Sequence, residues 1–87
     1  MNGPGPVPRI YHAADGLHLD ARGMAPPGPM VAILSLIERG EAGDAFVVHL
    51  DRDPVFLYPE LAERGFEARQ VDGEPGEVRL AIERARP

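Results

Sequence analysis

The sequence predicts an α+β domain with element order β-α-β-α-β-β, in which two helices lie on one face of a four-stranded sheet. Three observations predict it. Apolar and polar residues alternate with a period of two at Leu17–Asp20, Ala45–Leu50, Phe66–Val71 and Val78–Glu83. An apolar stripe with helical spacing begins near Pro29. Glycine or proline marks the segment boundaries, where the chain must turn or stop.

Residues 1–9 contain Gly3-Pro4, Gly5-Pro6 and Val7-Pro8, steps that suit neither helix nor ladder. They are expected to form a flexible arm ahead of a single domain at 10–87. Ile10 to Ala14 can add a short extended piece, and Asp15-Gly16 carries a hairpin-turn signal. Leu17–Asp20 then reads as the first strand of the sheet.

The loop Arg22-Gly23-Met24-Ala25-Pro26-Pro27-Gly28-Pro29 follows, with each proline holding its predecessor extended. The first helix is expected from Pro29 to Arg39, with Gly28 as N-cap and Pro29 at the first helical position. Met30, Ile33, Leu34 and Ile37 share its apolar face, Ser35 points away, and Gly40 closes it.

Ala45–Leu50 is the strongest strand, with Phe46, Val48 and Leu50 directed to the core. Asp53 is placed to cap a second helical segment opening at Pro54. Because Pro59 falls too far inside that segment, a distorted turn over 54–58 is expected before regular helix from Pro59 to Arg64. Leu57, Leu61 and Ala62 supply its buried side, and Gly65 stops it. The last two strands form a hairpin through Asp72-Gly73-Glu74-Pro75-Gly76. The face away from the helices would carry His18, Asp20, Val47, His49, Glu67, Arg69, Arg79 and Glu83, open to water or a partner.

Composition excludes more functions than it selects. The net charge is −5, and all nine basic residues are Arg. An acidic surface without a basic stripe argues against nucleic acid, which binds through neutralised phosphates. The longest apolar run, Met30 to Leu34, is too short to span a bilayer, and the first residues lack the basic and apolar regions of a signal peptide. Cytoplasmic residence is the expectation. There is no Cys, Thr or Lys, and Ser35 is the sole Ser, so covalent nucleophilic catalysis has almost no material. Asp20 and Asp51 could form a carboxylate pair, but exposed strand ends do not raise a carboxyl pKa for acid–base work. A non-catalytic chain without a cofactor is expected.

His-Leu-Asp occurs at 18–20 and 49–51, and Glu-Arg-Gly at 38–40 and 63–65. Two strand–loop–helix units running the same way would project His18, Asp20, His49 and Asp51 from one face. Such a set could bind a divalent metal, with His12 on the arm as a further donor. At the first helix, the N–H groups of Met30, Val31 and Ala32 lack a capping side chain and could receive a small anion, with Arg22 nearby.

Leu19-Asp20-Ala21-Arg22-Gly23-Met24-Ala25, followed by Pro26-Pro27-Gly28-Pro29, resembles the opening of TusA/SirA-like sulfur carriers. Those carriers place a Cys-Pro-x-Pro motif at the start of the first helix. Pro27 and Pro29 match the family prolines, and Pro26 stands at the cysteine position. The chain is more similar to a cysteine-less branch of that family, a bacterial domain of unknown function. That branch shows a second signature, matched here by Leu50-Asp51-Arg52-Asp53-Pro54-Val55-Phe56-Leu57-Tyr58-Pro59 and continuing to Arg64-Gly65.

The resemblance covers about residues 17–83. It implies a two-layer sandwich with a mixed sheet of order 1-2-4-3, the last strand antiparallel. It also implies a redox or nitrogen-oxide setting, beside hemerythrin-type domains. In a carrier, the helix N-terminus lowers the cysteine pKa and holds a persulfide; without sulfur at position 26 this chain cannot relay it.

Two readings follow. The first is a non-catalytic module that binds a protein partner or a small anion through Arg22, Gly23, Pro26, Pro27, Gly28, Pro29, Asp51, Arg52, Asp53 and Tyr58. The alternative is a metal- or cofactor-handling accessory domain using His18 and His49.

Overall fold

A computed structural model describes residues 7–86. It contains five strands and two helices: β1 (Arg9–Ala13), β2 (Gly16–Asp20), α1 (Gly28–Glu38), β3 (Ala45–Leu50), α2 (Leu57–Glu63), β4 (Phe66–Val71) and β5 (Val78–Arg84). All five strands form one mixed sheet of order β1-β2-β3-β5-β4. β2 and β3 are parallel, and the other three pairings are antiparallel. The four expected strands therefore appear in the order 1-2-4-3, and the sheet has five strands rather than four.

The added strand is β1, which brings Arg9 out of the expected arm and into the ladder opposite Asp20. Of the rest of that arm, residues 1–6 lie outside the described residues, and Val7 and Pro8 lead into β1. β1 returns into β2 through a tight turn at Ala14–Asp15, where Gly16 takes φ +117°. Its side chains are mostly exposed, so pairing with β2 rather than burial makes it a strand.

One side of the sheet carries the core. Leu19, Val48 and Leu80 are fully buried, flanked by Phe46, Leu50, Ile82 and Phe66. Ile33 and Leu36 of α1 and Leu57 and Leu61 of α2 join the same cluster, so both helices cover that one face in two layers. Burying each such side chain contributes about 1.5–3 kcal/mol against exposure.

The helices differ in detail from expectation. α1 opens at Gly28, one residue early, with Pro27 as N-cap, and its buried centre is Ile33 and Leu36; Met30, Leu34 and Ile37 pack at its flanks. Arg39 caps it and Gly40 follows at φ +74°.

α2 begins later than expected, at Leu57. The Leu57 N–H donates to the Pro54 carbonyl (2.8 Å), closing the turn before it. Pro59 then falls in the first helical turn, where no intrahelical N–H bond is required. Asp53 is therefore too far from the helix to cap it. Ala62 is exposed; Leu57 and Leu61 are the buried residues of α2, and Tyr58 packs beside them.

Candidate functional site

The loop after β2 and the loop after β3 leave the sheet side by side. The Ala21 N–H donates to the His49 carbonyl (2.9 Å), extending the parallel pairing beyond the strand. Asp51 then accepts the Gly23 N–H (2.6 Å). Gly23 has φ +85°, a conformation other residues adopt only with strain, so glycine lets the chain turn towards Asp51. This clamp brings the two proline-containing segments together.

Between them is a cleft of about 350 Å³, lined by Met24, Pro26, Pro27, Pro29 and Met30 on one side and by Leu50 through Leu57 on the other. Its surface is predominantly apolar. Phe56 (80% exposed) and Val55 (66%) stand at its edge because the late start of α2 turns them away from the core. Arg52 and Asp53 lie on the rim. Asp53 accepts a hydrogen bond from the Tyr58 hydroxyl (2.6 Å). Partial burial, together with that carboxylate, pushes the Tyr58 pKa up to about 12.

Of the residues expected at this edge, Pro26, Pro27, Pro29, Asp51, Arg52 and Asp53 line the cleft. Gly23 and Tyr58 brace it from behind, and Gly28 lines a neighbouring hollow with Val31 and Ser35. Arg22 turns to the other side of the sheet, where its guanidinium makes two hydrogen bonds to Asp20 (2.9 and 2.7 Å). That pairing holds the Asp20 pKa below the usual carboxylate range.

The leading end of α1 offers less to an anion than expected. The Gly28 N–H donates to the Ala25 carbonyl (2.8 Å), Pro29 has no N–H, and the Val31 N–H donates to the Pro27 carbonyl (3.0 Å).

The second group of polar residues lies on the opposite face. His18 and His49 converge there, but they are buried (6% and 4% exposed) rather than open to water. In the parallel register His18 sits opposite Val47 and His49 opposite Asp20, so the two imidazoles meet diagonally. His18 Nδ1 and His49 Nε2 are 2.8 Å apart. Their outer nitrogens are held by carboxylates, His18 Nε2 by Asp15 (2.6 Å) and His49 Nδ1 by Glu77 (2.6 Å).

Tyr11 lies over His18 with ring centroids 5.0 Å apart, and its hydroxyl is 3.2 Å from His49 Nε2. Glu77 also accepts from Arg79 (2.8 and 3.1 Å) and from the Glu74 N–H (3.0 Å). The Arg79 guanidinium, with smaller help from that N–H and from His49, lowers the Glu77 pKa to about 2.

The four residues considered for a metal are not brought together. Asp20 is engaged by Arg22 and Asp51 by the Gly23 N–H. Among the described residues, no group of three or more His, Cys, Asp or Glu could hold a metal ion. The imidazole centroids are 5.1 Å apart with planes 22° from parallel, so the facing nitrogens point almost straight at one another. Lone pairs so directed suit a proton; chelation needs them to converge on a third point. His12 is exposed on β1, away from the pair.

Sequence reasoning missed Tyr11, Asp15 and Glu77 here, and Met24, Met30, Val55 and Phe56 at the cleft. A two-residue turn at Ala14–Asp15 would have set Tyr11 opposite His18, so that partner was legible. Glu77 had no local signal, because it reaches His49 from a loop 28 residues further along the chain.

No helix among the described residues is long and apolar enough to cross a membrane. Neither a curated protein nor a solved structure matches the chain. One family does: that described as uncharacterized conserved protein (DUF2249) matches residues 18–84. The span runs from His18 to Arg84 and takes in both loop segments of the cleft, both buried histidines and Glu77. With most of its length matched, the chain belongs to the DUF2249 family.

Proposed function

We propose that this chain is a non-catalytic partner-binding module, built on a sulfur-carrier-like fold without the carrier thiol, and that a protein partner places an apolar side chain in the cleft beside Phe56. The observation that carries this reading is the convergence of two distant proline-containing segments on an apolar cleft whose edge residues, Val55 and Phe56, are left in water. Exposed aromatic side chains beside a preformed apolar depression are typical anchors of protein interfaces. The strand order agrees with that of the TusA/SirA-like carriers, and Pro26 immediately precedes the α1 cap at the position where their cysteine stands.

The choice of a protein over a small anion rests on the head of α1, where the Gly28 and Val31 N–H groups are engaged and Pro29 has none, which leaves an anion the Met30 N–H alone. A redox or nitrogen-oxide setting for the partner is proposed from the resemblance alone, and a cytoplasmic one from the sequence composition. Metal handling by His18 and His49 is the weaker reading, because their facing lone pairs favour a proton.

Selection of displayed peptides against the folded chain, followed by NMR mapping, tests the proposal. Selected peptides should shift the amides of Met24, Met30, Val55 and Leu57, and Phe56→Asp should weaken binding at least about 30-fold, as loss of an interface anchor does. Peptides that bind with undiminished affinity to Phe56→Asp, or that map to the opposite face, would overturn it.

A further inference from the structure

The buried imidazoles can be assigned protons by donor and acceptor matching alone. Asp15 and Glu77 are ionised carboxylates and only accept. His18 Nε2 and His49 Nδ1 must therefore each carry a hydrogen to make their 2.6 Å bonds. If both imidazoles were neutral, the Tyr11 hydroxyl could donate to His49 Nε2 (3.2 Å), but His18 Nδ1 would have no donor and its lone pair would face that of His49 Nε2 at 2.8 Å. If both were cationic, two N–H groups would collide there. One additional proton resolves both conflicts.

We propose that His18 and His49 share a single buried proton, and that this proton is a latch fastening β1, its turn and the Glu77 loop onto the open face of the sheet.

The surrounding charges fit this count. Tyr11 reaches the pair from β1, with the Arg9 guanidinium 4.9 Å above its ring. Asp20, the last residue of β2, pairs with Arg22, Glu77 pairs with Arg79 at the start of β5, and Arg22 lies 3.8 Å from Glu77, linking the two pairs. Asp15 is the carboxylate whose charge no Arg matches by direct contact, and the proton on the pair balances it through His18. The Asp15 and Glu77 pKa values are both depressed, Asp15 chiefly by its bond to His18, so both carboxylates remain ionised while the pair gains or loses its proton. The latch is whole with one proton and broken with none or two. Its strength therefore passes through a maximum with pH and falls on both sides.

Two measurements on the intact chain test this. In ¹⁵N-labelled protein, His18 Nε2 and His49 Nδ1 should each show a bonded proton. Their facing nitrogens should share one strongly deshielded proton coupled to both. Two bare facing nitrogens, or two independent titrations, would overturn the assignment.

Hydrogen-exchange protection of the β1–β2 ladder, corrected for the intrinsic pH dependence of exchange, should fall at least tenfold on each side of the maximum while that of α1 holds. Uniform protection would refute the latch. His49→Gln can accept from a doubly protonated His18 and donate to Glu77, so it should abolish the fall on the acid side and leave only the loss as His18 gives up its proton; a retained maximum would count against the pair. Should that variant not fold, the wild-type nitrogen spectrum alone decides.

Discussion

Replacing Glu77 by Gln should cost most of what the open face contributes to stability. The Glu77 side chain is 2% exposed and accepts from His49, from both guanidinium arms of Arg79 and from the Glu74 N–H. Its pKa falls from an ordinary 4.5 to about 2. At about 1.4 kcal/mol per pKa unit this is about 3 kcal/mol of stability in the ionised form.

Because the folded-state pKa is depressed, that contribution is fully present above the unfolded value and is lost as pH falls from about 5 to about 2. Glutamine retains one acceptor but must aim an N–H₂ at His49 Nδ1–H or at Arg79, so at neutral pH Glu77→Gln should be less stable by about 2–3 kcal/mol. The gap should close towards pH 2, where wild-type Glu77 is itself protonated. Urea unfolding of both proteins at pH 7, 5, 3 and 2 measures it as a difference in midpoints at constant slope. A variant within 0.5 kcal/mol of wild type at pH 7, or a gap that persists unchanged at pH 2, would refute the reasoning.

Other positions give sharper contrasts. Leu80→Ala removes a fully buried side chain at the centre of the sheet and should destabilise the fold by about 2–5 kcal/mol, read from the same urea transitions. Gly23→Ala should cost about 1–2 kcal/mol from its positive φ alone, because a methyl there meets nothing within 4 Å. Gly28→Ala should be nearly neutral by the same measurement: its φ is unstrained, and the new methyl meets only Met24, its mobile end at 3.1 Å and its Cβ at an ordinary 3.7 Å. In spectrophotometric titration one of the two tyrosines should ionise near pH 12, and Tyr58→Phe should remove that step. Since folding raises that pKa, the associated stability is present below pH 10 and lost as pH rises towards 12.

The parts of the fold that were legible in the sequence are those where a local pattern coincides with burial. β3 runs from Ala45 to Leu50 as expected because Phe46, Val48 and Leu50 alternate and all three are buried. The β4–β5 hairpin was announced by its Gly/Pro-rich turn. β1 was legible only as an extended piece, since its side chains alternate between two largely exposed faces and its place in the sheet comes from β2.

Phe56 received no assignment for a related reason. Val55-Phe56-Leu57 is an unbroken apolar run, and only the position of the first helical turn decides that Leu57 goes in and the two residues before it stay out. The histidines were assigned to the correct face but to water. Their burial depends on Tyr11 and Glu77, which come from opposite ends of the chain, and no window of local sequence contains both.

The head of α1 is where the chemistry of this chain departs most from that of a thiol carrier. Holding a persulfide anion requires sulfur and free amides at the first helical turn. Here Pro26 supplies no sulfur, Pro29 no amide, and the Ala25 and Pro27 carbonyls take the N–H groups of Gly28 and Val31. The same prolines that fill this end of the helix also line the neighbouring cleft, together with Met24 and Met30. The prolines that leave little here for an anion thus also furnish an apolar edge, while Asp51 and Gly23 hold the two loops together. An edge built in this way leaves Phe56 80% exposed beside an apolar cleft, and that is the surface the proposed partner contact would bury.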